Sequence, residues 1–166
     1  MLPSIDLRIA TLVKAIQQVI LPALPASERL AQEQARLIVG HLGMIADQWK
    51  HALPFELRSL ENMRALAEEL APLVAPAQST ALTTALAATA DTDPTSIEPV
   101  QAAICTIGKA VDAVILGDDG RIPLPDAARK AILRYGKAQS FRERAWFGGS
   151  GQDPDRAELP AIRDIR

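Results

Sequence analysis

Three polar residues recur at intervals of seven in the segment that we predict to be the second helix: Gln34, His41 and Gln48. On a helical wheel they lie along the middle of an otherwise apolar arc that ends at Trp49. Polar groups within an apolar face destabilise a fold unless they are hydrogen-bonded, so this line requires partners. His41 is the member that could act as an acid, a base or a ligand.

This polar line has several interpretations that the sequence leaves open. It can be a ladder in a core or a helix–helix interface that fixes the register of the helices. It can also line a polar pocket inside a bundle, with His41 as proton carrier or ligand, or lie on a more exposed face. Acid–base catalysis by His41 would need a carboxylate from another helix, because Asp47 points elsewhere on the wheel.

A catalytic metal finds little support in the histidine spacing. Di-iron bundles use Glu-x-x-His pairs, but the residues three positions before His41 and His51 are Ile38 and Gln48. There is no HExxH motif, and Asp47 with His51 makes a single pair. We therefore predict no metal site and no cofactor.

A cysteine and a glycine-rich segment could also take part in chemistry, but both have ordinary structural explanations. Cys105 precedes Lys109 by one turn, and a nearby ammonium can activate a thiol, but a lone helical cysteine is more typical of a small buried apolar residue. The GGSG at 148–151 follows a helix, whereas a phosphate-binding glycine loop leads from a strand into a helix. Neither element predicts catalysis.

Basic side chains follow one face of the last predicted helix: Lys130, Arg134, Lys137 and Arg144. This line could bind an anion or an acidic partner. It could equally be the solvated face of the helix, partly paired with the acidic segment 91–119. The net charge of −2 argues against nucleic acid and anionic membranes as partners.

Composition predicts an all-α fold. Of 166 residues, 29 are alanine and 20 are leucine, and aromatic residues make up 4%. Alanine and leucine favour helices, whereas the residue types that favour strands are scarce. One cysteine excludes an internal disulfide, and we find neither a signal peptide nor an apolar run long enough for a membrane span. We expect a cytoplasmic protein.

Periodicity and proline positions predict a bundle of five or six helices over residues 1–147. The expected ranges are 4–21, 27–51, 55–74, a short helix within 76–90, 96–117 and 125–147. The long second helix is predicted to be central, because Gly40 and Gly43 on its other side would admit a close neighbour. Two packing faces on one helix also suit a homodimer. Residues 148–166 are predicted to be a flexible tail or an arm on a neighbouring subunit.

Residues 12–48 carry a family resemblance. The first helix ends in ILPAL (20–24), and the second contains ARLIVGHLGMIADQ (35–48). This pattern resembles a family of small, all-helical bacterial proteins without established activity, often encoded near acyl-CoA dehydrogenase and aminoglycoside-phosphotransferase-like genes. The resemblance implies an accessory role beside fatty-acyl or related catabolic enzymes and assigns no residue a role.

Together these observations predict a non-enzymatic interaction or accessory protein that forms homodimers through helix faces and binds no nucleic acid. The first alternative is a bundle that binds a small molecule or acyl group in a polar pocket lined by Gln34, His41, Gln48 and Trp49. The second alternative is an enzyme that uses His41 as acid or base.

Overall fold

The computed structural model describes residues 2–151 and 153–165, without the side chain at position 118. Within those residues it is helical and contains no strand. The all-α prediction is confirmed. Six helices have more than ten residues: α1 (Ile5–Ala15), α2 (Arg29–Gln48), α3 (Ala52–Leu70), α4 (Pro76–Ala88), α5 (Ile97–Gly120) and α6 (Asp126–Trp146).

The chain forms two compact units. Unit 1 comprises Met1–His51 and Arg144–Asp164, and unit 2 comprises Ala52–Glu143 and Ile165–Arg166. The chain therefore passes from one unit to the other after His51, after Glu143 and after Asp164.

Unit 1 is built on an antiparallel hairpin of α1 and α2. Ser4 caps α1 by accepting a hydrogen bond from the Leu7 amide at 3.2 Å, which satisfies one of the free amides of the first turn. A π-helical turn at Ile16–Ile20 and a short turn at Leu21–Ala23 continue the helix to the connection. At the open end, the Trp49 indole donates to Asp6 Oδ1 at 3.0 Å, so the end of α2 lies beside the start of α1.

Unit 2 contains a continuous apolar core centred on α5. The largest fully buried side chains of the described residues are Leu70, Leu82, Val100, Ile107 and Val114, and three of these belong to α5. Ala128 and Ala131 of α6 complete the core with almost no exposed surface. The apolar positions of α5 recur at helical spacing without a polar interruption, so a full face can be buried without unpaired polar groups.

The structure does not confirm the prediction that the second helix is central. Ala35 is the only buried residue among the 20 of α2. Its polar line explains the difference, because leaving Gln34 and His41 in water avoids the cost of desolvating groups that have no partner. Within unit 2 the core is centred on α5.

The described part of the C-terminal segment, which the sequence predicts to be a flexible tail or an arm on a neighbouring subunit, contacts its own chain. It forms three short 3-10 turns at Gly148–Ser150, Arg156–Glu158 and Ile162–Asp164. In unit 1 a Cβ atom at Gly149 would lie 3.5 Å from Met44 Cγ, so the first turn rests against α2. In unit 2 Ile165 is buried, and its carbonyl accepts a hydrogen bond from Arg142 Nε at 3.1 Å. These anchors hold the segment to its own chain.

Candidate functional site: the exposed face of α2

The arc of α2 that carries the polar line is largely exposed. Gln34 and His41 are exposed, and the apolar residues around them are between 45 and 70% exposed: Leu30, Leu37, Ile38 and Ile45. Together these six residues define what we call the α2 face. A contiguous apolar face on a helix of a folded protein marks an interaction site.

Gln48 and Trp49, which close the predicted line, have structural partners within unit 1. Gln48 Nε2 donates to the Trp146 carbonyl at 2.8 Å and ties α2 to the end of α6. The ammonium of Lys50 lies 5.3 Å from the centre of the Trp49 ring and 2.8 Å from Asp6 Oδ2. Hydrogen bonds from Lys50 and then Trp49 hold the pKa of Asp6 below its usual value. These two residues therefore position the hairpin, and the predicted line divides into an exposed half and an anchored half.

A shallow groove of about 260 Å³ lies beside His41. Its lining residues are Glu33, Arg36, Leu37, Gly40, His41, Met44 and Ser150. All but one come from α2 itself, so the groove lies along the flank of a single helix and is bordered by the C-terminal segment. Gln34 and Gln48 do not line it, which separates them from the pocket that the sequence suggested around His41.

The four basic residues predicted as an anion surface do not act as one set. Arg134 forms an ion pair with Glu69, with one contact at 2.6 Å. Arg144 binds both oxygens of Asp153, at 2.7 and 2.9 Å, and Asp155 at 2.9 Å. Lys130 and Lys137 are exposed. Two of the four cations are thus engaged with carboxylates of their own chain.

Arg142, which the sequence analysis did not select, has the densest polar contacts among the described residues. In unit 2 its guanidinium donates to Ser59 Oγ at 3.1 Å, to Gln139 Oε1 at 2.9 Å and to the Phe55 carbonyl at 3.1 Å. It also lies 4.5 Å from the centre of the Phe55 ring. Burial lowers the pKa of Arg142, and the like charge of Arg58 adds to the effect. Arg142 follows Ala128 and Tyr135 at seven-residue spacing on one face of α6, and this spacing is the signal in the sequence of its partial burial.

The structure offers no catalytic constellation around His41 or Cys105. No hydrogen bond or ion pair of His41 is found among the described residues, and no group of three or more His, Cys, Asp or Glu residues is placed to hold a metal there. Cys105 is exposed, which corrects the expectation of a buried apolar residue. It lies on the side of α5 that faces away from the core of unit 2.

One helix meets the length and composition of a membrane span. The segment Ile97–Gly117 of α5 has a mean hydropathy of 1.5. The same segment supplies Val100, Ile107 and Val114 to the core of unit 2, and core helices commonly show this composition. One third of its most apolar 18-residue window is buried, and Ile115 and Leu116 of the same segment are exposed.

Comparison with known proteins adds no assignment. No protein-family model matches the chain, and no curated protein or solved structure matches it. The accessory role implied by residues 12–48 therefore remains an expectation.

Proposed function

We propose that this protein is a non-enzymatic interaction module that self-associates through the α1–α2 hairpin of unit 1. The observation that carries the proposal is how unevenly apolar side chains are buried. Among the described residues, 12 of the 16 exposed large hydrophobic side chains belong to unit 1, but only 3 of the 18 buried hydrophobic residues do. A hairpin with so little core and so much exposed apolar surface gains free energy when a partner covers it.

A homodimer is the simplest assembly that covers such a surface, because one patch serves both subunits. By this proposal the protein works in the cytoplasm as a partner of other proteins, and the resemblance of residues 12–48 suggests catabolic enzymes as those partners.

Charge substitution on the α2 face tests the proposal. Ile38→Glu and Ile45→Glu together would place unpaired carboxylates in the buried interface, at several kcal/mol each. We expect the dimer dissociation constant, measured by sedimentation equilibrium, to rise by about 100-fold or more. Leu133→Glu is the matched control, because Leu133 is 65% exposed but belongs to unit 2. An unmodified chain that is monomeric at micromolar concentration refutes the proposal.

Binding of a small molecule or acyl group is a second candidate, and the groove beside His41 supports it. Gly40 lines this groove, and a Cβ there would meet no atom within 4 Å, so Gly40→Leu introduces an apolar side chain at the wall of the groove. Native mass spectrometry would show a ligand as mass above the 17.8 kDa chain. Loss of that excess in Gly40→Leu, and its retention in Gly136→Leu of α6, would support this candidate; a bare chain in every case contradicts it.

Acid–base catalysis by His41 is the weakest of the three. Glu33 is the carboxylate that shares its groove, but it lies on the same helix, eight residues earlier. Among the residues that line the groove, no other helix supplies a carboxylate to orient the imidazole.

A further inference from the structure

We infer that two copies of α2 pair antiparallel about a twofold axis that passes beside His41. The inference rests on the proposed self-association and specifies its geometry. It starts from the positions four and seven residues from His41, which share its helix face and carry the same residue types in both directions: Leu37 and Ile45, Gln34 and Gln48.

An antiparallel twofold pair places each residue opposite the one equally far beyond His41 on the partner helix. Leu37 then meets the partner's Ile45, so apolar residues face apolar residues. Gln34 lies opposite the partner's Gln48, whose carboxamide oxygen can accept while its nitrogen binds the Trp146 carbonyl. In a parallel pair, each polar residue would instead lie opposite the same residue of the partner helix.

The charge pattern of α2 fits burial of this stretch against a second copy. Residues 37–46 contain no Asp, Glu, Lys or Arg, although the helix carries charged residues before and after them. Depletion of charge in the centre and its presence at the ends is the pattern of an interface core with a polar rim. Neither a lipid surface nor an acidic partner would require the symmetry about His41.

The area available is also adequate for a dimer. The α1 and α2 helices of one chain are antiparallel and both right-handed. Residues displaced in the same angular direction from the line where these helices touch therefore lie on the same side of the hairpin, which puts Ile5 and Leu12 of α1 beside the α2 face. Both are about half exposed. A two-helix face about 30 Å long and about 20 Å wide covers on the order of 600 Å², close to the roughly 800 Å² per partner of a standard interface.

Cysteine pairing tests the geometry in the full chain with Cys105→Ser as background. Leu37→Cys and Ile45→Cys are made separately, mixed and oxidised. In the antiparallel pair each lies opposite the other, whereas two copies of Leu37→Cys lie about 12 Å apart along the axis, beyond disulfide reach. We expect the mixed disulfide to exceed either self-linked product by about tenfold. His41→Cys alone should link to itself.

Leu133→Cys in unit 2 measures the background of random collisions. If Leu37→Cys forms as much disulfide with itself as with Ile45→Cys, the antiparallel geometry is wrong, although self-association would still stand. If the chain sediments as a dimer but every α2 variant cross-links no more than Leu133→Cys, the dimer does not form through the α2 face. A monomeric unmodified chain would refute the proposed function itself, so the two failures are distinguishable.

Discussion

At the scale of single residues, Arg142 has the clearest energetic role in unit 2. A half-buried guanidinium costs free energy unless its hydrogens are bonded, and here they bind neutral oxygens of Ser59, Phe55, Gln139 and Ile165. The Phe55 ring adds an attraction for the cation. Arg142 therefore joins α3, α6 and residue 165 within unit 2.

Replacing Arg142 with Gln should destabilise the fold, because Ser59 and the Phe55 carbonyl lose a donor. We expect a loss of about 2 to 3 kcal/mol in the free energy of unfolding, measured by urea denaturation. Arg129→Gln removes an exposed i,i+3 ion pair on the same helix and should change the free energy by less than about 0.5 kcal/mol. Equal effects of the two substitutions would contradict a special role for Arg142.

The ion pair of Arg144 with Asp153 should make the C-terminal segment sensitive to acid. A hydrogen bond from Arg144 lowers the pKa of Asp153 to about 2. Since the folded value lies below the unfolded one, the contribution to stability is present above about pH 4 and is lost as the pH falls towards about 2. The protection of residues 153–164 against hydrogen exchange, relative to the intrinsic rate at each pH, should fall over that interval.

Arg144→Gln provides the control for this pH dependence. It should accelerate exchange of the segment already at pH 7 and abolish the further change between about pH 4 and about pH 2. A segment whose exchange follows only the intrinsic pH dependence in both proteins would show that the ion pair does not anchor it.

The sequence identified the polar residues of this site, but it did not predict which of them would be exposed and which would be bonded to neighbours. Heptad spacing alone identified Gln34, His41 and Gln48 as one line, since spacing depends only on helical geometry. Their environments depend on which neighbour packs where: Gln48 binds a carbonyl 98 residues away, and no local pattern encodes such a contact. Arg142 escaped selection for the same reason, because its partners come from α3 and residue 165.

At the scale of helices, glycine controls the turn between α5 and α6. Gly117 has a φ of +55°, and a Cβ at this position would collide with the Ile122 carbonyl oxygen. The Ile122 amide also donates to the Gly117 carbonyl at 2.7 Å, which closes the turn. The sequence predicts the end of this helix at Gly117, whereas α5 extends to Gly120, so the positive φ of Gly117 lies within its last turn.

Gly117→Ala should therefore destabilise unit 2 by about 2 kcal/mol or more, through positive φ and the collision with Ile122. Gly136→Ala is the matched control, because a Cβ there meets nothing within 4 Å inside α6. It should stabilise the chain by about 0.5 to 1 kcal/mol. Thermal denaturation of both variants checks the opposite signs, and a neutral Gly117→Ala would contradict the steric argument.

Helix positions were predictable from local signals, whereas the ranking of helices by burial was not. Proline and apolar periodicity placed five of the six helices within about four residues of their observed ends, and the predicted end of the first at residue 21 includes the π-helical turn that follows α1. The prediction chose α2 as central because it is long and apolar on two sides, but α5 buries an uninterrupted apolar face. Local periodicity reveals a face, and only the packing of unit 2 decides which face becomes the core.

At the scale of the whole molecule, the two units have contrasting surfaces. Unit 2 has a core of its own and the properties of a stable framework. Unit 1 leaves the α2 face and parts of α1 in water, although burying such surface contributes about 25 cal/mol per Å². Self-association of unit 1 would bury this exposed apolar surface, and it is the central claim of our account.

Hydrogen exchange of the unmodified full chain, at high and at low protein concentration, tests this claim most directly because it reports both association and its location. We expect exchange in α1 and α2 to slow as concentration rises and dimers form, while exchange in α5 stays slow and independent of concentration. Exchange in α1 and α2 that is fast and unchanged across the micromolar range would contradict self-association through unit 1.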